Sequence, residues 1–385
     1  MLLHKSVEYD SRVRREARAL VEAGHAVTVV ELDLDAGGEL DGFSRVSVSP
    51  PAWVRRMLPF QLYRVVFLGA FLLRLLCLRP DVVHAHDAAM LLPGLVGARL
   101  TRARLVYDSH ELATGVPYRE ARWATFVGAI ERVAVPRVAA VITVTDGIAE
   151  RLQTLYGLPE RPTVVRNATD LVPPSVRTGV LRDRLGIGEA PLVLHQGAPA
   201  PDRGGEQLIA AMADLPGVHL VFLGSSPFAG YQESLREYGV TTGVAERVHF
   251  VPSVPLTDLL SHTADADVGV SLLQDSCENH RLALPNKVFE YLAAGVPVVV
   301  SDLPEVARLV SRHSVGWVVS ANDSVAVATG LRHAIAERDN GRMSVRARAA
   351  AASLGWSDEK RRLIAVYDKL DSRDNSRNSS RQPTT

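Results

Sequence analysis

Lys287 and Glu290 stand three residues apart within residues 286–301, which read NKVFEYLAAGVPVVVS. On a helix this spacing puts both side chains on one face. A lysine beside the unbonded N–H groups of a helix start can bind a phosphate. A carboxylate one turn further along can accept both hydroxyls of a ribose. The pair therefore indicates one end of a nucleotide site.

The same two residues also fit an ordinary surface helix. The helix dipole by itself favours an acidic residue in the first turn, and a lysine there is often only solvated. Four of the 43 basic residues are lysines, so a lysine at position 287 of an arginine-rich chain favours a specific role. From these residues alone, both interpretations stay open.

The surrounding residues predict a short capped helix, a tight turn and a buried strand over 296–300. Asn286 suits the N-cap, and Gly295 suits the left-handed position that follows the last helical residue. One helix face is apolar at i, i+3 and i+4 spacing and is predicted to be core. The residues of this face are Val288, Phe289, Leu292 and Ala293.

The whole chain alternates strands with helices, which is typical of parallel sheets covered on both faces. A first set of strands is predicted at 27–32, 81–85, 103–107, 139–144 and 163–166. A second set is predicted at 192–195, 219–223, 248–251, 268–272, 296–300 and 316–319. Because ligands of such sheets bind outside the carboxyl ends of the strands, we expect an α/β protein with two doubly wound, Rossmann-like domains facing a central cleft.

Shifts in composition predict the domain boundaries. The N-terminal domain is predicted at 1–172, a proline-containing linker at 173–180 and the C-terminal domain at 181–355. An amphipathic helix over 356–371 is expected to pack back on the N-terminal domain. Residues 372–385 contain no large apolar side chain and are predicted to form a disordered tail.

The composition excludes several classes of protein. Of 385 residues, 47% are hydrophobic and 22% are charged, and the net charge is zero. These values are ordinary for a soluble globular protein, and the lack of a basic block argues against nucleic acid as the main partner. Cys77 and Cys277 suggest neither a disulfide framework nor a metal cluster. Because Asp10, Arg12 and Arg14 precede any apolar core, no signal peptide is predicted.

Residues 60–78 form the most apolar segment, but charged residues such as Arg64 and Arg74 interrupt it. The segment is too broken for a transmembrane helix, and a packed helix of an α/β domain is the simpler interpretation. The alternative is an interfacial helix that rests on an anionic membrane, with Arg55 and Arg56 nearby.

Several motifs occur in order along the chain and together resemble the family 4 glycosyltransferases. They are DSRVRRE at 10–16 with Gly24-His25, HAHD at 84–87, YDSHE at 107–111, VITVTD at 141–146 and the block 284–301. The resemblance covers about residues 1–370 and implies the two-domain GT-B fold with retention of anomeric configuration. It also implies a nucleotide-sugar donor on the C-terminal domain, an acceptor on the N-terminal domain, and no metal or other cofactor.

The resemblance also implies roles for single residues. Glu290 matches the second glutamate of the family's Glu-x7-Glu motif, which binds the donor ribose. Arg203 falls where the family places a basic residue on the donor diphosphate, after a glycine-containing loop and before a helix. His110 matches a histidine that points toward the transferring sugar, where it orients or stabilises the sugar or helps to move a proton. The implied donor-binding residues are Gly197, Arg203, Asn286, Lys287 and Glu290.

Some polar residues keep two interpretations. His110 has acidic neighbours in sequence and could equally be a hydrogen-bonded structural residue, and His84 and His86 share this ambiguity. Asp265 and Asp267 precede a strand and are predicted to be loop residues. No carboxylate of the chain therefore stands out as a nucleophile.

The chain departs from the family pattern in two places. The first glutamate of the motif, which normally contacts the donor sugar, should stand at position 282, where the chain has Leu282. Glu278 or Asn279 could replace it, because residues 275–284 begin with polar side chains. At the N-terminus only residues 1–5 remain for the first strand and no glycine precedes Gly24. We therefore expect a start codon placed too far downstream, which would leave an edge of the first sheet unfilled.

The sequence thus favours a retaining glycosyltransferase with a glycan, lipid-linked or small-molecule acceptor. By family habit we expect it in the cytoplasm, associated with the inner face of the membrane, in surface polysaccharide or glycolipid assembly. A non-hydrolysing nucleotide-sugar epimerase is one alternative, although it should offer several acidic residues around the sugar. A catalytically degenerate partner subunit is the other, because Leu282 replaces an expected glutamate. The sugar, the acceptor and the oligomeric state stay open.

Overall fold

The computed structural model describes residues 1–32, 37–48, 60–116, 121–174, 176–338 and 341–379. The chain divides into two compact units, of which the first contains residues 1–166 and 357–385 and the second contains residues 167–356. The first unit therefore ends at residue 166, where the sequence predicted a boundary at 172. Arg55, Arg56 and the side chain of Arg64 lie outside the described residues.

An eight-stranded sheet forms the first unit, in the order β3-β4-β2-β1-β5-β6-β7-β8. All neighbouring strands are parallel except β3 and β4. The predicted strands are confirmed as β2 and β5 to β8. The eight strands are β1 (Leu2–Leu3), β2 (Thr28–Glu31), β3 (Gly37–Leu40), β4 (Phe43–Ser47), β5 (Val82–His86), β6 (Arg104–Ser109), β7 (Ala140–Thr143) and β8 (Thr163–Val164).

The hairpin of β3 and β4 was not predicted from the sequence. Its strands lack a long alternation of apolar and polar residues, which is the usual signal for a strand. Asp41 and Gly42, at φ values of 50° and 84°, make the tight turn between the two strands, as the twist of a hairpin requires. The hairpin is held by the parallel pairing of β4 with β2.

The short first strand lies inside the sheet and not at its edge. Leu2 pairs with Val30 of β2 and with Ala85 of β5, and both Leu2 and Leu3 are fully buried. The expectation of an unfilled sheet edge is therefore wrong, because two paired residues are enough to join β2 to β5.

The helices of the first unit end at recognisable signals. The Asp10 side chain accepts a hydrogen bond from the Val13 N–H at the first N-terminus, and Gly24, at a φ of 93°, follows that helix. The last helix reaches Ser379, so the prediction of disorder from residue 372 is wrong over 372–379. A helix propagates readily once it has formed, and no glycine or proline interrupts this one before Pro383. The helices are Ser11–Glu22, Phe60–Leu78, Asp87–Thr101, Ala121–Ala134, Asp146–Tyr156 and Trp356–Ser379.

The helix Phe60–Leu78 packs with one face only. Phe71 and Leu75 are buried, whereas Leu73 is 62% exposed and Leu76 is 43% exposed. Among the described residues, no helix combines the length and the apolar character that are needed to cross a bilayer.

A six-stranded parallel sheet forms the second unit, in the order β11-β10-β9-β12-β13-β14. Alternate residues face opposite sides: Val193 and Phe222 belong to one apolar cluster, and Leu194 and Val221 belong to the other. The strand order reverses between β9 and β12, which is where such sheets bind ligands. The six strands, all predicted, are β9 (Leu192–Gln196), β10 (His219–Leu223), β11 (Val248–Val251), β12 (Val268–Ser271), β13 (Val298–Ser301) and β14 (Gly316–Val319).

Helices cover both faces of this second sheet, and the predicted α/β class is confirmed. They are Val180–Leu185, Gly205–Ala211, Tyr231–Thr241, Leu256–Thr263, Glu278–Leu282, Asn286–Ala294, Pro304–His313, Ser324–Ala336 and Arg342–Ser353.

Asp265 and Asp267 lie in the loop before β12, as predicted, and both are buried there as structural anchors. Asp265 is fully buried and accepts hydrogen bonds from the N–H groups of Gly179 and Leu181 at 2.7 Å. Asp267 pairs with Arg182 at 2.7 Å. Buried charges need such partners, and these two fasten the segment that leads into β9.

Candidate functional site

The helix Asn286–Ala294 starts at the residue that was predicted to be its cap, so its N-cap lies one residue earlier than expected. Pro285 occupies the N-cap position with a φ of −64° and a ψ of 137°, and no side chain caps the helix. Since the ψ of Pro285 lies outside the helical region, Asn286 is the first helical residue, and it is exposed. Gly295 takes the predicted left-handed conformation at a φ of 78°.

Lys287 lies beside the loop that follows β9. A Cβ atom on Gly197 would stand 3.8 Å from Lys287 Cε and 3.9 Å from its Nζ. The Nζ atom is also 3.5 Å from His195 Nε2, which is the outer limit of a hydrogen bond. Burial and the charge of nearby Arg203 together lower the pKa of Lys287 to about 7. Burial and Arg203 therefore disfavour the ammonium form although Glu290 favours it, and a bound anion would favour it further.

Glycines let two loops approach each other at this end of the sheet. Gly197 has a φ of 90° and Gly224 a φ of 140°, so both adopt conformations that side chains rarely allow. A Cβ atom on Gly224 would lie 2.7 Å from the carbonyl carbon of Gly197. Backbone that is bare of side chains is what a phosphate group needs for close approach.

Glu290 turns toward the end of β9. Its Oε2 atom accepts a hydrogen bond from Gln196 Nε2. Gln196 is in turn fixed by Thr263, whose hydroxyl donates to Gln196 Oε1 at 2.6 Å. Gln196 and His195 were not predicted as site residues, although they form a polar pair at the end of an otherwise apolar strand.

Arg203 lies in the same region as Lys287. It is half-buried, and its positive charge contributes, after burial, to the lowered pKa values of His195 and His280. The adjoining Gly204 has a φ of 73°, and a Cβ atom there would come within 2.6 Å of Leu272. The structure thus brings together Gly197, Arg203, Lys287 and Glu290 at the carboxyl end of β9.

The proposed replacements for the missing glutamate lie on the short helix Glu278–Leu282. Glu278 is exposed and Asn279 is half-buried, and Leu282 ends the helix. The charges of Arg203 and Asp202 shift the pKa of His280 in opposite directions, so this helix lies next to the Arg203 loop. Contact of Glu278 or Asn279 with a sugar stays a prediction.

In the first unit, His110 follows β6 and lies between two carboxylates. Its Nε2 atom is 3.2 Å from Asp108 Oδ2 and its Nδ1 atom is 3.4 Å from Asp87 Oδ2. Burial alone would lower the pKa of His110, but the charges of Asp87 and Asp108 outweigh it and raise the pKa to about 9. His110 is therefore an imidazolium at neutral pH.

Asp87 completes this arrangement although the sequence analysis gave it no role. It begins the helix Asp87–Thr101 with a left-handed φ of 62°, a conformation that is costly for a residue other than glycine. Its Oδ1 atom also accepts a hydrogen bond from the His110 N–H at 3.3 Å. The available signal was its place directly after a strand, at the sheet edge where ligands bind.

A buried cluster of charged side chains, formed by Arg12, Glu16 and Asp108, contacts His110 through Asp108. Arg12 holds Asp108 with two hydrogen bonds of 3.0 and 2.9 Å, and its Nε atom is 3.0 Å from Glu16 Oε1. The buried arginine, acting against the cost of desolvation, holds the pKa of Asp108 well below its usual range. His84 donates to or accepts from the Tyr367 hydroxyl at 2.8 Å.

The same cluster brings together groups that the sequence did not predict to meet. One ligand atom from each of Glu16, His84, His86 and Asp108 lies within 4.8 Å of the others, a spacing that could hold a metal ion. Arg12 is hydrogen-bonded to Asp108 and lies 3.0 Å from Glu16, whose pKa burial raises to about 8, so the guanidinium would repel a divalent cation there. We therefore interpret the cluster as an ion-pair network.

Two family descriptions match the sequence. Glycosyltransferase Family 4 matches residues 11–172 and Glycosyl transferases group 1 matches residues 190–337. The D-inositol 3-phosphate glycosyltransferase of Geodermatophilus obscurus is 29% identical over 74% of this chain and 66% of its own length. A GDP-mannose-dependent alpha-(1-6)-phosphatidylinositol monomannoside mannosyltransferase of Mycolicibacterium smegmatis is 30% identical over 41% of this chain and 42% of its own length. The chain thus spans two thirds or less of these relatives.

Solved structures show the same fold. Sucrose-phosphate synthase from Thermosynechococcus elongatus has a TM-score of 0.77 and 19% identity, over 96% of this chain and 98% of its own. Anabaena HepE in complex with UDP-glucose has a TM-score of 0.76 and 18% identity, over 96% and 98%. The two Rossmann-like sheets, the matched families and this likeness lead to one conclusion: the chain belongs to the family 4 glycosyltransferases of the GT-B fold.

Proposed function

We propose that this chain is a retaining glycosyltransferase that takes a sugar from a nucleoside-diphosphate sugar and transfers it to a glycan, lipid-linked or small-molecule acceptor. The observation that carries the proposal is the position of Lys287 against the bare backbone of Gly197, with Glu290 on the same helix face. The Mycolicibacterium smegmatis relative is a GDP-mannose-dependent enzyme, which supports a nucleotide-sugar donor. Retention of configuration follows the habit of the family.

In this proposal the leaving diphosphate is stabilised by cations of the protein. Arg203 and Lys287 lie close enough for the charge of one to lower the pKa of the other, so an anion between them relieves their repulsion. Preorganised cations and N–H groups that face a developing negative charge are an effective source of rate enhancement. They perform here the task that a metal ion performs in other transferases, and we propose that no metal is required.

We assign His110 to the transferring sugar. With Nε2 hydrogen-bonded to Asp108 and Nδ1 3.4 Å from Asp87, His110 can reach a sugar hydroxyl through its Nδ1–H only. As an imidazolium with a pKa of about 9, it cannot take a proton from the acceptor at neutral pH. Of the roles that the family resemblance offers, orientation of the sugar therefore fits best.

We further propose that the helix Phe60–Leu78 touches a membrane peripherally. Its exposed side includes Leu73, Leu76 and Leu78, and the exposed Arg74 and Arg79 accompany them. Apolar residues beside basic ones favour an anionic membrane surface. Sedimentation with vesicles of anionic and of zwitterionic lipid tests this. We expect binding to anionic vesicles that Leu73→Glu abolishes, and equal failure to bind both vesicles would contradict it.

Mass spectrometry after incubation with UDP-, GDP- and ADP-sugars tests the main proposal. Slow hydrolysis of one donor, giving the nucleoside diphosphate and the sugar, is the expected result without an acceptor. Conversion of one nucleotide sugar into another would support the epimerase instead. Absence of both binding and turnover would support a degenerate partner subunit, which the replacement of a glutamate by Leu282 favours.

A further inference from the structure

Gln196 is the last residue of β9, and both polar atoms of its side chain make hydrogen bonds. It is 3% exposed. Its Oε1 atom accepts from the Thr263 hydroxyl at 2.6 Å, and its Nε2 group donates to Glu290 Oε2. Its backbone N–H donates to the Tyr291 hydroxyl at 2.7 Å. The amide therefore has one orientation, with its donor group facing Glu290.

Tyr291 fixes the same contact from the helix Asn286–Ala294. Its hydroxyl is buried and donates to the Leu194 carbonyl at 2.8 Å. Tyr291 follows Glu290 directly, so the helix Asn286–Ala294 is tied to β9 one residue away from the carboxylate. Helix, strand and glutamine amide together determine where the Glu290 carboxylate lies.

A glutamate side chain has several rotatable bonds, and ordering it when a ligand binds costs free energy. A buried donor that holds the carboxylate beforehand removes most of that cost. A hydrogen bond to a charged group is also among the stronger ones in proteins. The contact is therefore suited to preorganising a carboxylate that binds a ligand.

We propose that Gln196 is a positioning residue for the donor, which aims the Glu290 carboxylate at the ribose hydroxyls through the Thr263–Gln196–Glu290 chain of hydrogen bonds. This inference rests on the proposed function, because it takes Glu290 as the group that binds the ribose. It assigns to Gln196 no contact with the reacting atoms.

The test compares the affinity for a ribose nucleotide with that for its 2′,3′-dideoxy analogue, using the nucleoside diphosphate of the preferred donor. The wild-type protein should prefer the ribose form. Gln196→Leu should lose roughly tenfold of that preference while its affinity for the dideoxy analogue stays within about twofold. Thr263→Val, which removes the outer anchor together with the contact of that hydroxyl with the Leu259 carbonyl, should lose less. Gln153→Leu, a glutamine substitution in the other unit, is the matched control and should keep the full preference.

The outcomes separate this inference from the proposed function. If Glu290→Ala keeps the preference for ribose, the assignment of Glu290 fails and the proposed donor site fails with it. If Glu290→Ala loses the preference but Gln196→Leu keeps it, only the positioning role is overturned. If Gln196→Leu weakened the binding of the ribose nucleotide and of the dideoxy analogue equally, Gln196 would have a purely structural role, and the positioning role would also be overturned. A Gln196→Leu, Glu290→Ala double variant should lose no more preference than Glu290→Ala alone.

Discussion

In the first unit, His110 lies among charges that compensate one another, because Arg12 binds Asp108 and both ring nitrogens of His110 face carboxylates. In the second unit, Arg203 and Lys287 bring like charges together, and the pKa of Lys287 falls to about 7. In the first arrangement each charge has a partner of opposite sign, and His110 stays protonated at neutral pH. In the second arrangement the repulsion between Arg203 and Lys287 is relieved when an anion binds between them. The difference assigns orientation to His110 and anion binding to the helix Asn286–Ala294.

The largest expected effect concerns the stability of the first arrangement. Asp108→Ala leaves the buried Arg12 without its main partner, and breaking a buried ion pair in this way costs about 3–5 kcal/mol. Chemical denaturation should show that loss in the free energy of unfolding. Asp302→Ala, at an exposed aspartate, is the control and should stay within roughly 0.5 kcal/mol. A loss below about 1 kcal/mol for Asp108→Ala would show that the pair is not important for the fold.

The next effect separates turnover from donor binding. His110→Ala should lower kcat by about 100-fold, because the sugar loses the cation that orients it. The Kd for the nucleoside diphosphate should change by less than about twofold, since we assign the nucleotide to the second unit alone. Steady-state kinetics and calorimetry measure the two quantities. A large rise in Kd with unchanged kcat would reverse the roles given to the two sites.

A smaller effect is expected for the ribose carboxylate. Glu290→Ala should raise the Kd for the nucleoside diphosphate by roughly 10-fold or more, as for other hydrogen bonds to a charged group. Calorimetry measures the Kd, and a thermal unfolding curve checks that the variant is folded. Glu233→Ala, at an exposed glutamate of the same unit, should bind as the wild type does. Unchanged affinity in Glu290→Ala would remove this residue from the site.

The pH dependence should differ between the two sites. The pKa of Lys287 is lowered to about 7, so its cationic form is present below that pH and is lost as the pH rises. The Kd for a nucleotide sugar should therefore rise by up to about tenfold per pH unit above pH 7. The pKa of His110 is raised to about 9, so kcat at saturating donor should persist until the pH passes about 9. If the Kd and kcat changed with the same pH midpoint, the two sites would not differ in charge state as we propose.

Much of this fold could be predicted from the sequence because its strands are short apolar runs between turn signals. The strands over 219–223 and 248–251 are of this kind and occur where they were expected. The hairpin of β3 and β4 could not be predicted in the same way, since Gly37 and Gly38 carry no apolar signal and the hairpin depends on pairing with β2. Likewise, Asn286 resembles a cap, but Pro285, with a ψ of 137°, occupies the cap position in the structure.

The site was predictable where local spacing determines geometry. Lys287 and Glu290 share a helix face by their spacing alone, whatever surrounds them. The contacts of Gln196 were not predictable, because they join β9 to Thr263 and Glu290, which are far apart in sequence. The charge state of His110 could not be predicted from the sequence either, because it depends on the fold bringing Asp87 and Asp108 to the same imidazole ring.

Calorimetry with Lys287→Ala tests most directly whether Lys287 binds the donor diphosphate. The preferred nucleoside diphosphate and its bare nucleoside are titrated into the wild type, into Lys287→Ala and into the control Lys369→Ala, whose lysine is exposed in the other unit. We expect Lys287→Ala to weaken diphosphate binding by roughly 10-fold or more and to leave nucleoside binding within about twofold. Equal diphosphate affinity in Lys287→Ala and Lys369→Ala would contradict binding of the diphosphate by Lys287.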